Sequence, residues 1–190
     1  MPRLRSSSRP LVSLGVLFVM LAHASAWAAP DTQTVLERRV KAAFLYKFAG
    51  YVDWPAPAFR GPGDPLVIGV IGDDALADEL ERLVQGRRSA GRLVQVRRIE
   101  NTGEPGDVHL LFLGRSHAQR AGEAVQAIRQ RPVLLVSESP GALQQGSMIN
   151  FVIGEGRVRF EVDLDATKRN GLGLSSRLLT VARTVTAKGS

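Results

Sequence analysis

The residues best suited to chemistry after residue 28 are His109, His117 and Ser116, which sits beside the second histidine. A histidine titrating near pKa 6.5 is the usual general base, and a serine it activates the usual nucleophile. His109 lies inside the apolar run Val108-His109-Leu110-Leu111-Phe112-Leu113, which predicts a packed core residue. Ser116 opens a helix, where a hydroxyl serves as a cap. There is no nucleophile-elbow pattern, although a Ser-His-Asp set assembles from distant positions and spacing alone leaves it open. Two histidines without any cysteine give no metal-ligand spacing. Gly72-Asp73-Asp74 follows a strand, as phosphate cradles do, but its two carboxylates repel phosphate. The expectation is a non-enzymatic protein with no catalytic residues, no metal and no cofactor.

The remaining polar chemistry is suited to recognition. Asn150, Arg157, Arg159, Glu161, Asp163, Lys168 and Arg177 crowd the stretch from Met148 to Arg183. Arginine forks make paired hydrogen bonds to carboxylate or phosphate, so Asn150, Arg157, Arg159, Glu161 and Arg177 form a candidate partner or ligand surface. Simple decoration of a wet strand face is the competing reading for each of them. Five of the eleven Phe, Tyr and Trp residues fall between Phe44 and Trp54. Phe44, Tyr51 and Trp54 are expected in the core, and Tyr46 and Phe48 on a partner-facing patch, where aromatics are enriched.

The elements that must position these groups alternate between strand and helix. Asp31 or Thr32 can cap a helix carrying Leu36, Val40, Ala43, Phe44, Lys47 and Tyr51 on one face and stopping before Trp54-Pro55. A Pro- and Gly-rich loop covers residues 55–65. Residues 66–71, 108–113 and 132–136 read as buried strands. Residues 93–99 alternate, predicting a strand at a sheet edge with its arginines on a solvated face. Helices are expected from Gly72-Asp73-Asp74, with Leu76, Leu80, Leu83 and Val84 inward, and from Gly114-Arg115-Ser116, with Ala118, Ala121, Val125 and Ile128 inward. Gly154-Glu155-Gly156 turns a hairpin whose second strand faces Val158, Phe160 and Val162 inward. Asp163 is placed to cap a short helix ended by Gly171, and Ser175 a last helix carrying Leu178, Leu179, Ala182 and Val185. The fold class is therefore α/β: a single domain with a mainly parallel central sheet flanked by helices, a C-terminal β-hairpin and short terminal helices.

Arg3, Arg5 and Arg9 precede an apolar run from Leu11 to Ala22 and the small-residue pattern Ala26-Trp27-Ala28. This predicts an export signal over residues 1–28, cleaved after Ala28 or, as a near alternative, after Ala26. The run is well short of the roughly 20 apolar residues of a spanning helix. Residues 29–190 form one expected domain. Loss of three arginines and no acid leaves 22 Lys and Arg against 18 acids, a net charge of +4. Export argues against a nucleic-acid partner. Without cysteine, stability comes from packing alone.

Several segments together carry a resemblance. Lys41-Ala42-Ala43-Phe44-Leu45-Tyr46-Lys47-Phe48 with Trp54-Pro55, Phe112-Leu113-Gly114-Arg115, Pro132-Val133-Leu134, Met148-Ile149-Asn150-Phe151, Arg157-Val158-Arg159-Phe160-Glu161, and Gly171-Leu172 followed by Ser175-Ser176-Arg177-Leu178-Leu179 resemble the YfiR family of exported bacterial proteins over about residues 35–183. The resemblance implies a periplasmic regulator with an α/β fold, forming a homodimer. Its best-known type represses a membrane-anchored diguanylate cyclase of the YfiN kind by binding the cyclase's periplasmic sensor domain, lowering cyclic di-GMP and biofilm formation. The family's cysteine-based redox control is excluded here, and Ala142, Ser147 and Asp163 depart from its usual residues.

The expected function is thus a non-enzymatic periplasmic regulator. It binds the periplasmic domain of an inner-membrane sensor, a YfiN-type diguanylate cyclase or a histidine kinase. The alternative is a small-ligand binding protein with its pocket near residues 72–74 and 137–141.

Overall fold

The computed structural model describes residues 32–187. The expected export signal over residues 1–28, and its cleavage site, lie outside the described residues. The described chain opens with α1 (Thr32–Tyr51), followed by β1 (Val52–Asp53), a 3-10 turn over Ala56–Ala58 and β2 (Leu66–Ile71). All six residues of β2 are buried, as in a strand covered on both faces. The Asp73 carboxylate accepts the Leu76 N–H at 2.9 Å and so starts α2 (Asp74–Val84), which buries Leu76, Ala77, Leu80 and Val84.

The chain returns through β3 (Arg88–Ser89) to β4 (Arg92–Arg98), parallel to β2 on one side, then crosses to β5 (Leu110–Leu113), parallel to β2 on the other. A 3-10 turn over Arg115–Arg120 and α3 (Ala121–Ala127) lead to β6 (Leu134–Ser137), beside β5 in register Leu110 to Leu134. β7 (Ile149–Gly154) lies parallel to β6, and β8 (Arg157–Asp163) pairs antiparallel with β7. Then come α4 (Leu164–Arg169), β9 (Gly173–Leu174), α5 (Ser176–Thr180) and β10 (Thr184–Thr186). The eight-stranded sheet has the order β10-β8-β7-β6-β5-β2-β4-β3, while β1 and β9 form a separate antiparallel pair. The crossovers from β2 to β4 and from β5 to β6 run in opposite directions along the sheet, and with the right-handed connection that parallel crossovers adopt this puts α2 and α3 on opposite faces. The expected α/β domain with a mainly parallel sheet is the one observed.

α1 packs along α2 and against β8. Its buried positions are Lys41, Ala42, Leu45, Phe48 and Ala49, not the Leu36-to-Tyr51 face expected from spacing. Contact with two elements broadens and rotates the buried stripe, and it leaves the first turns of the helix uncovered. Phe48 is 1% exposed. Its ring stands edge-on to Phe160 at 4.9 Å and stacks on Phe151 at 5.7 Å. Each such pair adds about 0.5–1.5 kcal/mol beyond area burial. Phe48 is therefore a core residue, which corrects its assignment to a partner-facing patch.

Two helices are shorter than expected. The Ser116 hydroxyl donates to Gly72 O at 2.8 Å instead of capping its own helix, and residues 115–120 wind as a 3-10 turn. The last helix stops at Thr180. Thr184–Thr186 then pair parallel with β8, so Val185 is a strand residue opposite Val162. The open edge of β8 competes for this segment, and Arg183 N–H donates to Phe160 O at 2.8 Å at its start. The strand expected at the sheet edge, β4, is covered on its outer side by β3.

Candidate docking groove and the closed carboxyl edge

The uncovered first turns of α1 face the tip of the β7–β8 hairpin. Between them lies a groove of about 270 Å³ with an apolar floor of Leu36, Val40, Ile153 and Val158 and a charged rim of Glu37, Arg157 and Arg159. Gln33 bridges its end, donating to Gly156 O at 3.4 Å. Leu36 is 55% exposed and Ile153 49%. Leaving side chains of this size in water forgoes part of the roughly 1.5–3 kcal/mol that burying each would contribute. The hairpin explains the geometry. Glu155 (φ +53) and Gly156 (φ +68) both adopt left-handed backbone, a tight turn that projects Ile153 and Arg157 past the sheet. Among the described residues, the Arg157 and Arg159 guanidiniums enter no ion pair, and both are free to meet an incoming carboxylate.

The carboxyl ends of β2, β5 and β6 are built differently. Here the reversal of strand order at β2 and β5 marks the usual ligand crevice of an open α/β sheet. The chain's own groups fill it. Lys41, on α1, bonds both Glu37 and Glu138, and Lys41 and Glu138 are buried. The second oxygen of Glu138 accepts Arg115 N–H at 3.0 Å. Arg38 lies 3.6 Å from the Asp73 carboxylate. Ser116 Oγ accepts from His117 Nδ1 at 2.9 Å while donating to Gly72 O, so its hydroxyl proton is committed to a carbonyl, not to a base. A Cβ built on Gly72 would come within 2.3 Å of His117 Nδ1 and 2.4 Å of Ser116 Oγ. Near residues 72–74 and 137–141, the expected place of a ligand pocket, the polar side chains Lys41, Glu138, Asp73, Ser116 and His117 are thus engaged with groups of the protein itself.

The expected site residues fall in several places. Arg157 and Arg159 line the groove. Glu161 shares their strand and is half-buried, 4.0 Å from Arg183. Arg177 stands exposed on α5, which packs on α1 away from the hairpin tip. Tyr46 is half-buried, donates to Arg88 O at 2.9 Å and sits under Arg87, so it holds β3 instead of forming a free aromatic patch. Asn150 is 3% exposed and its Oδ1 accepts Ser139 N–H at 3.1 Å. β7 is covered on both faces at that point, so Asn150 orders the loop after β6 and does not belong to a wet face. Spacing passed over Leu36, Ile153, Lys41 and Glu138. The one local signal was Glu37 four residues before Lys41, with Lys41, Leu45, Phe48 and Val52 in step along one helix face.

At the amino ends of the strands, His109 is buried as expected. Its Nδ1 accepts Val67 N–H at 3.0 Å, leaving the proton on Nε2, 3.0 Å from Ala58 O. Phe59 stacks on the ring at 4.3 Å, and Arg92 covers Phe59 at 3.7 Å while its guanidinium holds the carbonyls of Gly61 and Asp64. Burial pushes the His109 pKa below the ordinary value. With both nitrogens engaged, it anchors the proline-rich loop and has no free atom for catalysis. Asp163 caps α4 through two N–H bonds of 2.9 Å, and the Ser147 hydroxyl donates to Ile149 O and meets Ser137 Oγ at 2.8 Å. These two of the three departures from the family pattern are accommodated by hydrogen bonding.

A family model described as YfiR/HmsC-like matches residues 38–183. Among solved structures, the chain is similar to a conserved domain protein from Vibrio cholerae O1 biovar El Tor, with a TM-score of 0.51 and 10% identity over 78% of this chain. It is also similar to an ABC domain from Streptococcus pneumoniae in complex with L-Trp, with a TM-score of 0.56 and 10% identity over 76% of this chain. The chain spans 60% of the length of each. At that identity the likeness is one of fold.

Proposed function

The chain belongs to the YfiR/HmsC-like family, and we propose that it represses an inner-membrane sensor, a diguanylate cyclase of the YfiN type, by docking on the sensor's periplasmic domain. Membership supports a periplasmic regulatory role in general terms, and regulation in place of catalysis. The observation that carries the docking reading is the groove with its exposed Leu36 and Ile153 beside the unpaired arginines of β8. Its complement is a sensor segment presenting an apolar side chain flanked by carboxylates. Apolar anchors supply affinity, and the arginine rim supplies orientation and rate. Repression follows if the protein binds one conformation of the sensor more tightly than the other.

Cyclic di-GMP in cells lacking the protein, complemented with the wild type or with Leu36→Asp/Ile153→Asp, tests this. The wild type is expected to lower the nucleotide, and the groove variant, exported to the same level, to leave it high. Equal lowering by both, or no response to deletion, would count against repression through this groove. Unchanged cyclic di-GMP with altered phosphorylation of a sensor kinase would transfer the output to that second class.

A further inference from the structure

Across the sheet from the groove, α3 and α4 enclose a second cavity of about 380 Å³, a volume typical of small-molecule sites. Its floor is apolar and well buried: Ile128, Met148 and Ala166 are each 3% exposed or less. The exposed residues lining it include Arg129, two positions past the end of α3, Arg169 at the end of α4, and Gln126 of α3. Asn170 ties the two walls together by donating to Ile128 O at 3.1 Å.

The two arginines come from positions 40 residues apart and line one concavity, yet among the described residues neither side chain enters an ion pair or a hydrogen bond. Exposed arginines on a convex surface are routinely solvated. Two cations sharing the mouth of an apolar cavity instead repel one another, and an anion between them relieves that repulsion while accepting their forked donors. An apolar floor below a cationic mouth fits a ligand with an anionic head and a compact apolar body.

We propose that this cavity is a binding site for a small organic carboxylate, whose carboxylate lies between Arg129 and Arg169 and whose apolar body rests on Ile128, Met148 and Ala166. The site is separate from the docking groove, and its occupancy does not require a sensor partner.

Titrating the purified protein with benzoate and hexanoate, followed by backbone amide NMR, tests the assignment against benzamide, hexanol and inorganic phosphate. Both carboxylates are expected to shift resonances of residues 125–130, 146–148 and 166–170, and the neutral analogues to bind at least about tenfold more weakly. Arg129→Gln and Arg169→Gln should each weaken benzoate about tenfold or more with an unchanged melting temperature. Should either fail to fold, Gln126→Glu, which sets a carboxylate on the rim, is expected to weaken binding in the same direction. Equal binding of benzamide, shifts mapping elsewhere, variants that bind as well as the wild type, or no saturable binding would each overturn the proposal. Phosphate binding as tightly as benzoate would overturn the role of the apolar floor.

Discussion

The carboxyl edge of the sheet and the tip of the β7–β8 hairpin make opposite use of α1. At the sheet edge, Lys41 reaches from α1 to Glu138 and helps close the crevice where an open α/β sheet would ordinarily take a ligand. Five residues and one residue before Lys41 on the same helix, Leu36 and Val40 leave an apolar groove open against Ile153. Glu37 belongs to both places: it lines the groove and bonds Lys41. The difference separates the part of the molecule that holds it together from the part that is free to meet another. The strand-end position that fold analogy would nominate is spent on stability, and the exposed chemistry lies on a hairpin.

Breaking the closed edge should have the largest effect. Lys41→Met strands the buried Glu138 carboxylate, and removing one partner of a buried pair costs about 3–5 kcal/mol. Adding Glu138→Leu should recover part of that loss, which a double-mutant cycle by urea unfolding will measure. Additive single effects would mean that the two groups are not coupled. Gly72→Ala attacks the same edge through backbone conformation. At φ +74, with Ser116 and His117 against the new methyl, a loss of about 1–3 kcal/mol is expected in the same assay.

His109 closes the amino end of the sheet, and its effect depends on pH. Burial lowers its folded pKa, so the unfolded chain binds more protons once pH falls below the ordinary histidine value near 6.5. The stabilisation from keeping His109 neutral is complete above that pH and is lost as pH falls through it toward the lower folded pKa. Unfolding measured between pH 8 and 5 should show this decline, and His109→Gln should flatten it while lowering stability throughout. A wild-type slope that survives the substitution would assign the decline to another group.

What could be read from the sequence was what neighbours in the chain decide. The apolar run of β2, the helix start at Gly72-Asp73-Asp74, the Asp163 cap, the positive-φ Gly171 and the hairpin through Glu155-Gly156 all rest on interactions a few residues apart. The errors came from partners far away. Lys41 is buried because of a carboxylate 97 residues on, and Phe48 because Phe151 and Phe160 arrive from a hairpin more than 100 positions later. Asn150 is hidden by a loop 11 residues earlier in the chain. Val185, with helix-like spacing, became a strand because β8 offered an open edge. For the groove, the arginines were visible in the alternation of β8, but its apolar floor was not. Leu36 has helical spacing with the core, and only the packing of α1 against α2 and β8 shows that its turn extends beyond cover.

The most direct measurement is the affinity of the sensor's purified periplasmic domain for the wild-type protein and for Leu36→Asp/Ile153→Asp, by calorimetry at fixed salt. Both positions are exposed, so the variant should unfold within about 0.5 kcal/mol of the wild type. The docking account predicts binding at least about a hundredfold weaker for the variant, as loss of two apolar anchors at the centre of an interface requires. A folded variant that binds the sensor domain as tightly as the wild type would contradict it.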